Sequence, residues 1–372
     1  MIKIFPIVSA LLLILGANFY VFYRLWTMMP VTIAGRILLV TFGVVALSSF
    51  VLAQVIGNSL PLPVTAIMYR VGTSWFFIFV YLLILFLLLE VIRVTGLLPV
   101  TGFMYGNWRG LGVLAGALTL ILTWGYIVYL HKARVELSLT VNKEVGTERS
   151  LKIVAISDLH LGYGIGRNEF EKWIELINKE TPDIVLIAGD AIDNSTRPLY
   201  ERGIAEAFKQ IKTKYGIYAS LGNHEYISGI SNSLAFLKEA GITVLRDSVA
   251  LIDNTFYMVG RDDRTNNARK SVAELTDTLD KSKLLILLDH QPYHLEQAEK
   301  NGIDLQISGH THHGQIFPLS WITEMIYEKA HGYLKKGDSH IYVSSGLGIW
   351  GGKFRIGTRS EYVVITLQTR KL

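Results

Sequence analysis

The fold is decided by residues 151–160, which read LKIVAISDLH. The stretch from Leu151 to Ile156, apolar except for Lys152, is typical of a buried strand, and it stops abruptly at Ser157-Asp158-Leu159-His160. In open α/β sheets, ligands bind at the carboxyl ends of the strands. The stretch therefore predicts an α/β fold in which Asp158 and His160 lie at a binding site.

The same alternation of short apolar runs and amphipathic segments continues from residue 150 onwards. The predicted strands are 151–157, 184–188, 216–221, 242–245, 255–259, 284–288, 305–308, 341–344 and 362–367. The predicted helices are 168–179, 199–214, 231–240, 271–279 and 293–300. This pattern predicts one α/β domain over residues 150–372.

Four further predicted strands end in polar motifs. They are Gly189-Asp190, Gly222-Asn223-His224-Glu225, His290-Gln291-Pro292 and Gly309-His310-Thr311-His312. We expect these loops to converge with the first one at a single edge of the sheet. Imidazole, carboxylate and amide donors suit manganese, iron or zinc better than copper(I), and the chain contains no cysteine. The sequence therefore predicts a metal site.

Two of these motifs have the same spacing. In Asp158-x-His160 and His310-x-His312, an extended strand would direct both side chains to one face. Two such pairs and a carboxylate able to bridge supply donors for two cations. Two cations about 3.5–4 Å apart activate water and stabilise both oxygens of a phosphoryl transfer. This chemistry predicts a hydrolase of phosphoester bonds.

The ordered set of motifs resembles the calcineurin-like metallophosphoesterases over essentially all of residues 150–368. The resemblance implies a four-layer αββα sandwich with two divalent metal ions, manganese before iron or zinc. It implies that one metal is held by Asp158, His160 and His312, that the other is held by Asn223, His290 and His310, and that Asp190 bridges them. It also implies that His224 contacts the phosphate and assists the leaving group as a catalytic residue. Asp193, three residues past Asp190, is a candidate either to support these ligands or to cap a helix.

Three later segments narrow the resemblance. Residues 309–315 (GHTHHGQ), 343–348 (VSSGLG) and 359–362 (RSEY) are similar to the membrane-associated branch described as transmembrane metallophosphoesterases. His313 stands where glycine is more usual in that branch. The resemblance implies hydrolysis of the pyrophosphate bond of UDP-2,3-diacylglucosamine, a lipid A precursor, or of a related lipid-linked phosphate.

Composition places the first third of the chain in lipid. The chain is 50% hydrophobic and only 18% charged, which excludes an ordinary soluble protein and a disordered one. Four uncharged stretches approach the roughly 20 residues that a membrane-spanning helix needs: 4–23, 37–58, 71–89 and 111–130. We therefore expect four transmembrane helices in residues 1–130, a linker over 131–149, and a multi-pass protein with the lipid bilayer as a partner.

Charge is distributed unevenly between the two parts. Residues 1–130 contain six basic side chains and one acidic one, whereas residues 131–372 contain thirty of each. The basic excess belongs to the apolar part, so it does not indicate binding of nucleic acid. The positive-inside rule favours a cytoplasmic catalytic domain, and the resemblance implies a bacterial inner membrane. Nothing in the pattern indicates an oligomeric state.

Two loops of the predicted α/β domain have alternative interpretations. Residues 316–336 are apolar and aromatic, and they either cradle acyl chains or rest on the bilayer, or they pack into the core of their own domain or against the four-helix anchor. The glycines of residues 162–166 favour a mobile loop over the substrate entrance rather than a dinucleotide site, because their spacing is GxGxG. Arg167, Arg261 and Arg264 are candidates for contacts with phosphate.

Three hypotheses on function follow. The main one is a membrane-anchored, dinuclear metal-dependent hydrolase that acts on a lipid-linked phosphoester or pyrophosphate. The second keeps the chemistry but places a soluble nucleotide or a phosphoprotein in the site. The third is a membrane scaffold or sensor with a metal-binding head, and the complete set of ligand candidates argues against it.

Overall fold

The computed structural model describes residues 4–143 and 150–369. They form two compact units, of which the first ends at Tyr126 and the second begins at Ile127. Each unit is built from elements that its own sequence pattern favours, apolar helices in the first and an α/β sandwich in the second.

The first unit is helical. Its helices are α1 (Ile4–Met28), α2 (Ile33–Ile56), α3 (Leu62–Thr95), α4 (Thr101–Met104) and α5 (Trp108–Leu130), the last of which continues into the second unit. Thr32 caps the start of α2 by accepting a hydrogen bond from Gly35 N, and Gly96, in the left-handed conformation, ends α3. The acidic Glu90 of this unit is paired with the buried Arg24 and with Arg93.

Three segments of the described residues are long and apolar enough to cross a membrane: Ile33–Ser59, Leu62–Thr95 and Trp108–Leu130. They coincide with three of the four predicted transmembrane helices, and for these the prediction is confirmed by length and composition. Helix α1 covers the fourth, but several side chains near its start lie outside the described residues. The apolar stretch that is described there, Leu12–Met28, is shorter than the other three.

The second unit contains two six-stranded sheets. In chain order the strands are β1 (Lys132–Val141), β2 (Ser150–Ile156), β3 (Ile184–Ala188), β4 (Ile217–Ser220), β5 (Thr243–Val244), β6 (Ser248–Ile252), β7 (Phe256–Gly260), β8 (Leu284–Leu288), β9 (Leu305–Ser308), β10 (Gly332–Lys336), β11 (Ser339–Val343) and β12 (Ser360–Thr369). The first sheet has the order β1-β12-β2-β3-β4-β5, and the second has the order β10-β11-β9-β8-β7-β6.

Short and long helices accompany the sheets. They are α6 (Arg167–Lys179), α7 (Arg197–Glu201), α8 (Ile204–Phe208), α9 (Asn223–Ile227), α10 (Ile230–Glu239), α11 (Val272–Thr276), α12 (Glu296–Lys300) and α13 (Leu319–Ile326). A 3-10 turn, His312–Gly314, precedes α13.

Strand β2 shows why the domain has four layers. Its side chains alternate, so that Ile153 and Ala155 enter the core between the two sheets, while Val154 and Ile156 enter a second core beneath helices such as α6 and α10. A third core lies under α11 and α12 on the other sheet. The part of a strand that is buried on both faces must be apolar. The fold was predicted from such an apolar segment in β2. The predicted αββα sandwich is therefore confirmed.

The expected linker over residues 131–149 needs correction. Its first part is strand β1, which pairs in parallel with β12 from Lys132 opposite Ser360 to Val141 opposite Thr369. Leu139 and Val141 are buried in the core between the sheets. The rest of the expected linker, residues 144–149, lies outside the described residues.

Other predicted boundaries also differ. The predicted helix 199–214 is divided into α7 and α8 by Gly203, whose φ of +61° an α-helix does not accommodate. Strands β6 and β10 were not predicted. Both carry half-exposed side chains, so they lack the continuous apolar run that identified the buried strands.

Candidate dinuclear metal centre

The predicted ligands lie in the loops that follow β2, β3, β4, β8 and β9. Backbone hydrogen bonds join these loops to one another. Asp158 N donates to Gly189 O at 3.0 Å, and His160 N donates to Asp190 O at 3.0 Å. In the second sheet, Gly309 N donates to His290 O at 2.9 Å. The loops therefore hold their side chains on a common, hydrogen-bonded frame.

The backbone of the ligand loops is left-handed rather than extended. Asp158, His160, Asp190, His310 and His312 have φ values of 53°, 45°, 53°, 70° and 47°. Non-glycine residues in this region cost roughly 1–2 kcal/mol each, and such strain is concentrated at functional sites. Asp158 and His160 thus come together through a tight turn and not through the strand spacing from which this was predicted, whereas His310 and His312 lie in two different groups of possible ligands.

A first donor set consists of Asp158, His160 and His312, whose ligand atoms lie within 4.8 Å of one another. The Nε2 atoms of the two histidines are 3.0 Å apart, and His312 Nε2 lies 3.5 Å from Asp158 Oδ1. Burial raises the pKa of Asp158. It lowers the pKa of His312 well below its ordinary value, and the neighbouring His160 lowers it further. A neutral imidazole with a free lone pair is the form that binds a metal.

A second donor set consists of Asn223, His290 and His310. His310 Nδ1 lies 3.0 Å from Asn223 Oδ1, and His290 Nε2 lies 3.2 Å from Asp190 Oδ2. The other ring nitrogen of His290 is 2.7 Å from Ala188 O, to which it donates. Nε2 of His290 is buried. A backbone carbonyl that fixes the tautomer in this way is typical of metal-ligating histidines.

Asp190 lies in contact with both donor sets. Its ligand oxygens group with His290 and His310 on one side and with His160 and His224 on the other. The Oδ1 atom accepts a hydrogen bond from His224 N at 2.8 Å, so the carboxylate is held by the backbone. The two sets and the shared carboxylate are made of nitrogen and oxygen donors alone. These residues fit two divalent cations of the manganese, iron or zinc type, with Asp190 able to reach both.

His224 lies beside the first donor set, with its ring centroid 4.5 Å from that of His160. Its Nδ1 atom is 3.2 Å from Asp193 Oδ1. Burial alone would lower the pKa of His224, but the carboxylates of Asp190 and Asp193 raise it to about 9. Asp193 also lies 3.5 Å from His160 Nδ1, so it supports both imidazoles and is more than a helix cap.

Glu225 is a supporting residue to which the sequence analysis gave no role. Its buried carboxylate accepts backbone hydrogen bonds from Asp190 N (3.1 Å), Ile192 N (3.0 Å) and Gly222 N (2.7 Å). Burial and the nearby Asp190 raise the pKa of Glu225 to about 7. A partial signal for it was present, because glutamate three residues after the N-cap, here Gly222, is one half of the capping-box pattern, although glycine has no side chain to supply the other half.

Arg355 is a second supporting residue that was missed. Its guanidinium is fully buried and donates to His312 O at 2.7 Å, to Gly348 O at 3.1 Å and to Ser345 O. It therefore joins the His312 loop to residues 345–348. A single arginine in a loop gives no pattern from which this role could be predicted.

The three arginines considered for phosphate binding have different surroundings. Arg167 donates to Glu171 at 2.7 Å, and Arg261 donates to Asp289 at 3.1 Å. Arg264 is exposed and lies over the ring of Tyr293 at 4.1 Å. The hydroxyl group of that tyrosine is 3.2 Å from that of Tyr327. The ring of Tyr327 lies 6.4 Å from the His310 ring, so Arg264 belongs to a rim beside the second donor set.

The glycine-rich loop at residues 162–166 does not have the exposure that we expected. Gly162 N donates to Ile165 O at 2.9 Å, and Tyr163 and Ile165 are buried. Its apolar side chains pack under α6, so the loop is part of the domain core instead of an exposed cover.

Comparison with known proteins agrees with this geometry. Residues 151–314 match the family model described as calcineurin-like phosphoesterase. An uncharacterized metallophosphoesterase from Aquifex aeolicus is 33% identical over 266 residues, which cover 69% of this chain and 98% of that protein. The chain therefore belongs to the calcineurin-like metallophosphoesterase family, and the resemblance drawn from the motifs is confirmed.

Other relatives are similar over a smaller share of their length. A metallophosphoesterase from Campylobacter jejuni is 34% identical over 233 residues, covering 60% of this chain and 61% of that protein. A transmembrane protein with metallophosphoesterase domain from Danio rerio is 30% identical over 274 residues, covering 69% and 62%. The chain thus spans about three fifths of the first curated relatives that it matches.

Proposed function

We propose that this chain is a membrane-anchored, dinuclear metal-dependent hydrolase of a phosphoester or pyrophosphate bond in a lipid-linked substrate, such as UDP-2,3-diacylglucosamine of the lipid A pathway. One observation carries the proposal. Two sets of nitrogen and oxygen donors, buried or half-buried, meet at Asp190, and His224, an imidazole with a raised pKa, lies beside them. Family membership supports the reaction class. The apolar helices and the exposed side chains of α13 support the choice of substrate.

The side chains of the site have different roles in hydrolysis. When bound, two divalent cations supply Lewis-acid stabilisation of the phosphoryl oxygens and lower the pKa of water. His224 carries a proton at neutral pH, because Asp190 and Asp193 raise its pKa to about 9. Asp193 holds Nδ1 at 3.2 Å, which leaves Nε2 as the ring atom that donates this proton to the leaving oxygen.

Two features favour a lipid-linked substrate over a soluble one. Three helices of the described residues are long and apolar enough to cross a membrane. In the second unit, apolar side chains on α13 are exposed next to the turn His312–Gly314, which carries a predicted ligand. A substrate with a phosphate and acyl chains fits a site with these neighbours.

The reaction class is tested with the purified full-length chain. Metal analysis is combined with a panel of phosphomonoesters, phosphodiesters and UDP-lipids, and His310→Ala is compared with His294→Ala, whose side chain is 61% exposed. We expect two bound metals and turnover in the parent and in His294→Ala, and in His310→Ala we expect the loss of at least one metal and of turnover. Turnover that survives in a metal-free His310→Ala preparation contradicts the proposed mechanism.

The substrate is tested separately. The diacylated and the deacylated form of one nucleotide sugar are assayed under identical conditions, and we expect a higher kcat/KM for the diacylated form. Equal values favour a soluble nucleotide substrate, while the absence of turnover on every compound, with two metals bound, favours a scaffold or sensor.

The proposal also places the domain on the cytoplasmic side of a bacterial inner membrane, since more basic residues flank that side in the first 143 residues. Because the chain has no cysteine, a single cysteine at the exposed Ile227 reports the side directly. A membrane-impermeant thiol reagent is expected to label it only after the cells are opened. Labelling of intact spheroplasts contradicts this orientation.

A further inference from the structure

Helix α13 and the residue pair before it expose a cluster of large apolar side chains. We define this apolar surface by Phe317, Trp321, Ile322, Met325 and Ile326, whose exposed fractions are 40%, 63%, 45%, 78% and 58%. Other exposed large apolar residues of the second unit, such as Tyr200, Ile227 and Leu251, lie far apart in the sequence. A contiguous apolar surface of this kind marks a binding site more often than isolated residues do.

The helix that carries this surface is fixed to the metal-ligand loop. His313 Nε2 lies 3.0 Å from Glu324 Oε1, across the turn from the predicted ligand His312. Gly314 has a φ of +71°, and a Cβ atom at this position would lie 2.3 Å from Ser320 N. The backbone of α13 therefore approaches the ligand loop as closely as glycine allows.

The packing of α13 determines which of its side chains are exposed. Of its eight residues, Ser320 is buried, whereas Trp321, Ile322, Met325 and Ile326 face away from the domain. The alternative that residues 316–336 pack into the core of their own domain is therefore wrong for these side chains. Removing exposed apolar side chains from water is favourable, so a partner that covers this surface is bound more stably.

The chain itself indicates what covers this surface. Helix α5, which is long and apolar enough to cross a membrane, ends at Leu130, and β1 begins at Lys132. One residue between them keeps the second unit covalently at the bilayer surface, where the effective concentration of lipid is high. Tryptophan, phenylalanine and aliphatic side chains on a short helix are typical of insertion into the headgroup region.

We propose that the apolar surface of α13 docks onto the lipid bilayer. Docking brings the ligand loop at His312–Gly314 to the level of the headgroups, so that a phosphate in a headgroup reaches the metal site without leaving the membrane. The nearby charges include Glu324 and Glu328 as well as Lys329, Lys335 and Lys336, so apolar area rather than charge supplies the attraction. This site goes beyond the proposed function, because it does not depend on which bond is hydrolysed.

The absence of cysteine in the native chain allows a direct test. Met325→Cys and, as a matched exposed apolar control, Leu251→Cys are spin-labelled in the full-length protein, which is then placed in phosphatidylcholine and phosphatidylglycerol vesicles. For each label, the rate of collision with oxygen is divided by the rate of collision with a water-soluble nickel chelate. We expect this ratio to be several-fold higher at position 325 than at position 251. Equal ratios at the two positions overturn the proposal.

A second copy of the chain is the other occupant that the test detects. If α13 of one molecule covers α13 of another, the label at 325 shows spin-spin broadening that disappears on dilution with unlabelled protein. That result also overturns docking onto lipid. Neither outcome depends on catalysis, so a failure of docking is distinguishable from a failure of the proposed hydrolase.

Activity provides an independent measurement. In Trp321→Gln/Met325→Gln, we expect kcat/KM for a substrate embedded in vesicles to fall about tenfold, which corresponds to about 1.4 kcal/mol of transition-state stabilisation. We expect kcat/KM for a small water-soluble phosphoester to stay unchanged, since neither side chain belongs to the donor sets. An equal loss on both substrates indicates damage to the metal loop and contradicts docking.

Discussion

The Nε2 atoms of His160 and His312 lie 3.0 Å apart, although 152 positions separate the two residues. Two imidazole nitrogens at this distance can share one proton or bind one metal, and Asp158 Oδ1 lies 3.5 Å from one of them. The contact joins the loops after β2 and β9, which belong to different sheets. The contact therefore forms only when the two sheets are packed against each other, and it marks the position of the first donor set.

His224 and His310 are expected to behave differently when they are removed. His310 belongs to a donor set, whereas Nδ1 of His224 is held by Asp193. We expect His224→Ala to retain two metals and to lose about 10²–10⁴-fold in kcat, the range for general acid catalysis. We expect His310→Ala to lose at least one metal. Metal analysis and kinetics on the same preparations check this prediction, and loss of metal from His224→Ala would make it a ligand instead.

Gly309 is expected to be essential although it offers no ligand. A Cβ atom at this position would lie 2.4 Å from Asp158 Oδ2 and 2.7 Å from Ser157 Oγ. Gly309→Ala therefore has to displace Asp158, and we expect weaker metal binding at an unchanged content of secondary structure. Gly112→Ala, whose Cβ meets nothing within 4 Å, is the control. Normal metal affinity in Gly309→Ala would show that the ligand loop accommodates the added Cβ atom without weakening metal binding.

Asp193 is expected to set the alkaline limit of activity. Burial would lower the pKa of His224, but Asp190 and Asp193 raise it to about 9, so the protonated form persists to alkaline pH. Asp193→Asn removes one carboxylate, and we expect the alkaline limb of the kcat profile to move to lower pH. Metal content is measured alongside, because Asp193 also contacts His160. An unchanged limb would argue that His224 is not the proton donor.

His313 carries backbone strain that glycine would relieve. Its φ and ψ of 51° and 38° lie in the left-handed region, which glycine adopts without strain. His313→Ala and His313→Gly both remove the contact with Glu324, but only alanine keeps a Cβ atom. We expect the glycine variant to have the higher free energy of unfolding, by about 1 kcal/mol. Thermal unfolding of the two full-length variants compares them, and equal midpoints would refute the strain.

Glu361 is expected to make the second unit sensitive to acid. Its buried carboxylate accepts hydrogen bonds from Tyr342 Oη (2.9 Å) and Ser345 N (3.1 Å), and His331 Nε2 lies 3.0 Å away. Burial alone would raise the pKa of Glu361, but His331, the backbone N–H of Ser345 and the positive charge of Arg359 lower it to about 2. The folded pKa is thus below the ordinary 4.5.

The pH window follows from the sign of this shift. A lowered pKa stabilises the fold fully above the unfolded value, and the contribution is lost as pH falls from about 4.5 towards 2. We expect the unfolding temperature of the parent to drop across this range and that of Glu361→Gln to start lower and vary less. If the unfolding temperatures of the two proteins fall in parallel with pH, carboxylates other than Glu361 determine the sensitivity to acid.

Much of this fold was predictable because the informative patterns are local. The buried run of β2 and the motif that ends it lie within ten consecutive residues, and the same holds for the loops at Asp190, Asn223 and His310. A strand and its terminating loop are specified by neighbours in the chain, so the motif residues could be named without coordinates, and the family resemblance then identified seven of them as candidate ligands. The apolar helices of the first unit were predictable for the same reason.

Tertiary structure alone decided what depends on distant segments. Strand β1 was expected to be a linker, because its partner β12 lies at the other end of the chain and supplies the hydrogen bonds that make it a strand. Arg355 finds its acceptors only when the loop of His312 is closed over it. The exposure of α13 is likewise a property of the packed domain. Local sequence sets the periodicity of an element, whereas its partners and its free face depend on how the whole chain packs.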